Sequence, residues 1–77
     1  MDIRDFFARN LRKARNAKGL SQEALAHEAE VDRTYISALE RSVYSATIDM
    51  VDKLATVLEM EAGALLERPT RARPRKG

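Results

Sequence analysis

Arg33, Thr34 and Ser37 are the residues of this 77-residue chain best suited to specific chemistry. The first two are adjacent, and Ser37 follows one helical turn later on the same side. An arginine fork matches the paired acceptors on a guanine edge, and such a contact contributes about 1–3 kcal/mol of discrimination. Thr34 adds a methyl and a hydroxyl, and Ala38 can add an apolar contact to a thymine methyl. This is the chemistry of recognition, with no bond made or broken.

Catalysis needs titratable groups converging in a pocket. The chain has one histidine and no cysteine. It also lacks a glycine-rich phosphate loop and any pair of acids at a suggestive spacing. No enzymatic activity and no cofactor are expected. His27 has no second histidine or cysteine beside it and reads as an ordinary polar residue, so no metal is expected either.

The recognition residues need a rigid element beneath them. Apolar residues at helical spacing supply it throughout. Ile3, Phe7, Leu11 and Ala14 line one face of a first helix, from Asp2 to Lys18. Gly19 ends that helix, since glycine takes a positive φ without steric cost. Arg12, Lys13, Arg15 and Lys18 crowd its last turns, where cations suit the helix dipole, and Arg12, Lys13 and Lys18 read as a solvated face. Ser21 is an N-cap for a second helix, Gln22–Ala29, with Leu25, Ala26 and Ala29 inward. Asp32 is an N-cap candidate for a third, from Arg33 to about Arg41, with Ile36 and Leu39 inward. Ser42–Ala46 is a loop. Thr47 caps a fourth helix, Ile48 to about Leu58, whose inward face is Ile48, Val51, Leu54, Ala55 and Leu58. A short fifth spans about Glu61–Leu66. No strand pattern competes, so the fold class is all-α, a compact five-helix bundle with short connections.

Two short helices joined by a tight turn, Gln22–Ala29 and Arg33–Arg41, have the form of a helix-turn-helix. A helix of this kind fits the DNA major groove with its N-terminal residues nearest the bases. Arg41 and Tyr44, just beyond the third helix, could reach the flanking backbone. Tyr35 could stack on that backbone or cover the core.

The segment Gly19-Leu20-Ser21-Gln22-Glu23-Ala24-Leu25-Ala26, followed by Val31-Asp32-Arg33-Thr34-Tyr35-Ile36-Ser37-Ala38-Leu39-Glu40-Arg41, resembles the Cro/CI-type (Xre) repressor family. The likeness continues through Thr47-Ile48 and Leu54-Ala55 to Leu58. Within the family, the string from Asp32 to Ser37 is similar to the controller proteins of restriction–modification systems. The resemblance implies the phage-repressor fold and transcriptional regulation through double-stranded DNA. It also implies a homodimer on a near-palindromic operator, with half-sites about one helical turn apart. It implies a phosphate contact for Gln22 and a structural salt bridge between Arg15 and Glu40. Two places depart from the family pattern. Glu30 stands where glycine usually makes the turn. After Arg41, Ser42 stands where glycine or asparagine is common, and the loop that follows holds Val43 and Tyr44 where controller proteins more often carry polar or basic residues.

Charge divides the chain in two. Residues 1–67 carry nine Lys/Arg against twelve Asp/Glu, whereas residues 68–77 carry five basic residues and no acid. The expected organisation is a DNA-binding domain over 1–67 and a basic, disordered tail over 68–77. That tail is an electrostatic DNA arm or a solubilising end. Met60, Leu65 and Leu66 offer apolar surface for a dimer. No run approaches the roughly 18–20 apolar residues of a membrane span, and the N-terminus does not read as a signal peptide, so a cytoplasmic location is expected. A domain this small leaves no room for a ligand-binding module, and no small-molecule ligand is expected. The competing reading is a protein-interaction module, such as an antitoxin of the same fold.

Overall fold

Local capping chemistry starts most of the helices. In a computed structural model of the chain, which describes residues 2–68, α1 spans Ile3–Ala17, α2 Gln22–Ala29, α3 Arg33–Glu40, α4 Ile48–Val57 and α5 Ala62–Leu65. Asp2 opens α1 with a reciprocal capping box to Asp5. Ser21 accepts from the Ala24 N–H and Thr47 from the Met50 N–H, both at 3.0 Å. Each satisfies a donor that a helix start leaves without a partner. Asp32 takes the N-cap position of α3, but its side chain makes no capping bond. Among the described residues there is no strand. The expected basic tail lies, apart from Arg68, outside the described residues.

The helix ends share one device. After α1, α2, α3 and α4 a residue with left-handed backbone reverses the chain: Gly19 (φ 76°), Glu30 (62°), Ser42 (62°) and Glu59 (58°). In each case the next N–H returns to a carbonyl five residues back: Leu20 to Arg15, Val31 to Ala26, Val43 to Ala38 and Met60 to Ala55, at 2.9–3.0 Å. This is the Schellman pattern, which glycine usually makes. Only α1 ends on glycine, so three of the four turns carry the steric cost of a Cβ, about 1 kcal/mol or more each. The turn inside the helix-turn-helix therefore keeps its geometry despite Glu30.

The core is continuous across all five helices. Leu11 of α1, Leu25 of α2, Ile36 and Leu39 of α3, Leu54 of α4 and Leu65 of α5 are fully buried, with Phe7, Ala26, Ala29, Val51, Ala55 and Leu58 around them. At about 25 cal/mol per Å2 of apolar area removed from water, this burial drives folding. Two positions expected in the core lie outside it: Ile3 is 58% exposed and Ile48 is 87% exposed. Each is the first residue of its helix, at the rim of the bundle. Phe6 and Ala8 are buried on α1 as well. Of the three apolar residues expected at a dimer surface, Leu65 is fully buried, Met60 packs against the core and only Leu66 is exposed.

Candidate nucleic-acid interface

The third helix is held from behind. Ile36 and Leu39 bury one side of α3, and Glu40 is buried at its last turn. The Glu40 carboxylate accepts from Arg15 Nε at 2.6 Å and Arg15 Nη2 at 3.0 Å, a bidentate pair. It also accepts from Gln22 Nε2 at 3.1 Å. Arg15 Nη1 donates to the Leu20 carbonyl at 2.8 Å, and Arg12 Nη2 to the Glu40 carbonyl at 2.9 Å. One buried carboxylate thus joins α1, the start of α2 and the end of α3. Burial pushes the Glu40 carboxyl up. The hydrogen bonds from Arg15 and Gln22, with the charges of Arg15 and Arg12, outweigh burial and hold it below its ordinary value. The hydrogen bond to Glu40 raises Arg15 in turn, against the opposing effect of burial.

The outer side of α3 is free. Arg33 and Thr34 are exposed in its first turn, with Ser37 half-buried one turn on. Arg41, the C-cap residue, is exposed at the other end. Ala38, expected to offer its methyl to a base, is only 5% exposed and has little surface for such a contact. Tyr35 is half-buried, with one side on the core. Its ring centroid lies 6.3 Å from that of Tyr44, at an interplanar angle of 34°.

Gln22 stands at the first position of α2, half-buried, with its amide already engaged by Glu40. The Gln22 and Glu23 backbone N–H groups precede the first intrahelical bonds and point out of the helix start, where an anion is favoured.

Three contributors escaped sequence reasoning. Arg12, read as solvated, bonds the end of α3; its i, i+3 spacing from Arg15 put both on one face, a usable signal. Asn10 Nδ2 donates to the Leu65 and Glu67 carbonyls at 3.0 and 2.8 Å, and Arg68 lies over the Phe6 ring at 5.3 Å. No spacing in the sequence foretold these contacts.

Away from α3, the exposed Ile3, Ile48 and Leu66 line an apolar groove of about 540 Å3 between α1, α4 and α5. Arg4, Asp49 and Asp52 also line it. Among the described residues no cluster of His, Cys, Asp or Glu could hold a metal, and no helix is long and apolar enough to cross a membrane.

The HTH_3 helix-turn-helix profile matches residues 11–65. The chain is 41% identical over 68 residues to a hypothetical transcription factor of Neisseria meningitidis serogroup B, which covers 88% of this chain; the chain spans 64% of that relative's length. The structure superposes on the restriction-modification controller protein C.AhdI from Aeromonas hydrophila with a TM-score of 0.77 and 40% identity, over 80% of this chain and 90% of that one. It superposes on SinR, a master regulator for biofilm formation solved in complex with DNA, with a TM-score of 0.76 and 29% identity, over 79% and 98% of the two chains.

Proposed function

The chain belongs to the HTH_3 helix-turn-helix family of transcription regulators, and from that premise we propose that it is a sequence-specific regulator that binds a near-palindromic operator as a homodimer. The observation that carries this reading is the two-sidedness of α3. Its inner side is fixed by Ile36, Leu39 and the Glu40–Arg15 pair, while Arg33 and Thr34 stand free at the end that enters a major groove first. Arg33, Thr34 and Ser37 read base edges. Gln22, Tyr35, Arg41 and Tyr44 contact the backbone and set register, without base information of their own. In this reading residues 1–67 are the DNA-binding domain and residues 68–77 a basic tail. The protein works in the cytoplasm and responds to its own concentration or to partner proteins.

The relatives' roles as controller proteins and a DNA-bound regulator support the reading. The groove around Ile3, Ile48 and Leu66 supports a dimer, because contiguous exposed apolar surface on a small domain marks an interface. Selection of bound duplexes from a random pool at fixed moderate salt tests it. Recovery of a near-palindrome with half-sites about one turn apart is expected. Recovery of no motif, together with a stable heteromeric partner, would instead identify a protein-interaction module.

A further inference from the structure

Tyr44 does not contact α3 by chance of an open loop. The left-handed Ser42, whose N–H returns to Leu39 at 3.2 Å, turns the chain back at the end of α3. The Val43 N–H then bonds the Ala38 carbonyl at 2.9 Å. These two bonds fix the direction in which the next residue leaves, and that residue is Tyr44. Its ring meets Tyr35, nine positions earlier, at 6.3 Å and a tilt of 34°, within the range of favourable offset pairs. Tyr35 has the core on one side and Tyr44 on another, whereas Tyr44 itself is 55% exposed. The first ring is therefore held and the second does the holding.

We propose that Tyr44 is a positioning residue for Tyr35, locking its ring beside the first turn of the reading helix so that Tyr35 meets DNA already oriented. The proposal rests on the DNA-binding reading above. It assigns the Tyr44 ring a role separate from any contact its hydroxyl makes with a phosphate. A side chain ordered before binding loses less freedom on association, so the ring contributes affinity through Tyr35 and without new contacts of its own. Val43, exposed beside Tyr44, keeps this corner apolar, so the contribution carries little salt dependence.

The test compares Y44F with Y44A, each in the wild-type and Y35A backgrounds. The readout is affinity for the selected operator. Y44F removes only the hydroxyl; Y44A removes the ring as well. In the wild-type background Y44A is expected to bind about two- to tenfold more weakly than Y44F, the span set by the ordinary strength of an aromatic pair. In the Y35A background the two variants should bind alike. Near-ultraviolet circular dichroism of the free chain gives a second readout, because it has two tyrosines and no tryptophan. The Tyr35 signal should persist in Y44F and fall in Y44A. Equal binding by Y44F and Y44A in the wild-type background, or a gap that survives in Y35A, overturns the proposal while the DNA-binding reading stands. Failure of the wild-type chain to select any duplex overturns both.

Discussion

Replacing Glu40 with glutamine keeps the shape of the side chain and removes its charge. The Glu40 side chain is 1% exposed and that of Arg15 12%, so neither can turn to water when the pair is broken. In the wild type the carboxylate accepts from Arg15 twice and from Gln22 once. A glutamine amide must present its own NH2 to one of these donors. At least one charge-assisted bond is lost, at about 1.5–3 kcal/mol, and the Arg15 guanidinium is left without a counter-charge. Breaking one side of a buried pair costs about 3–5 kcal/mol. Because the glutamine oxygen and the Leu20 carbonyl still accept, the lower end applies. A domain of this size has in all about 4–12 kcal/mol of stability, and each kcal/mol moves its midpoint by about 4–8 °C. E40Q should therefore melt about 12–24 °C lower at pH 7, measured at matched protein concentration. The pH dependence gives a second check. The Glu40 carboxyl is held below its ordinary value in the folded chain. Its stabilisation is thus complete above the unfolded value, about 4.3, and is lost as pH falls through the lower folded value. The gap between wild type and E40Q should be widest at neutral pH and narrow below about pH 4.3. E28Q, at an exposed position of α2, corrects for the loss of one negative charge. A midpoint within about 5 °C of wild type, or a gap that stays constant into acid, would show that this pair does not hold α3 in place.

R33A should weaken operator binding by about 1–3 kcal/mol and relax preference at one position per half-site, read by binding to single-base operator variants; equal loss on random DNA would contradict base reading. I48D puts a charge into the apolar groove at a residue that is 87% exposed. It should leave the folded domain within about 0.5 kcal/mol of wild type, abolish self-association in sedimentation and weaken operator binding; a dimer surviving unchanged would place the interface elsewhere. E30G relieves a left-handed residue at a cost of its surface pair with Lys53 at 3.5 Å. Since an exposed pair contributes about 0–1 kcal/mol and the strain about 1 or more, urea unfolding should show E30G equal to or more stable than wild type. A clear loss of stability would mean Glu30 holds the turn by contacts beyond its backbone.

The helices were legible because their causes are local. Ser21 and Thr47 cap, Gly19 stops a helix, and Leu11, Leu25, Ile36, Leu39 and Leu54 repeat at a spacing that leaves only one face to bury. The exposed Thr34 follows from the same periodicity, since it lies opposite Ile36 and Leu39; Arg33, at i−3 from Ile36, borders the buried face and is exposed in the first turn of the helix. Periodicity could not say where a face ends. Ile3 and Ile48 fit the apolar pattern yet sit at the rim, because coverage depends on which other helix lies above them. Ala38 fits the outward pattern yet is covered. Nor could the pattern tell that Glu30 would adopt a glycine's backbone, or that Arg12 and Gln22 would converge with Arg15 on Glu40. Residues 12, 15, 22 and 40 are brought together only by the packing of α1, α2 and α3, and a buried carboxylate gathers every donor within reach because an unmet charge in the interior costs more than ordering the side chains that meet it.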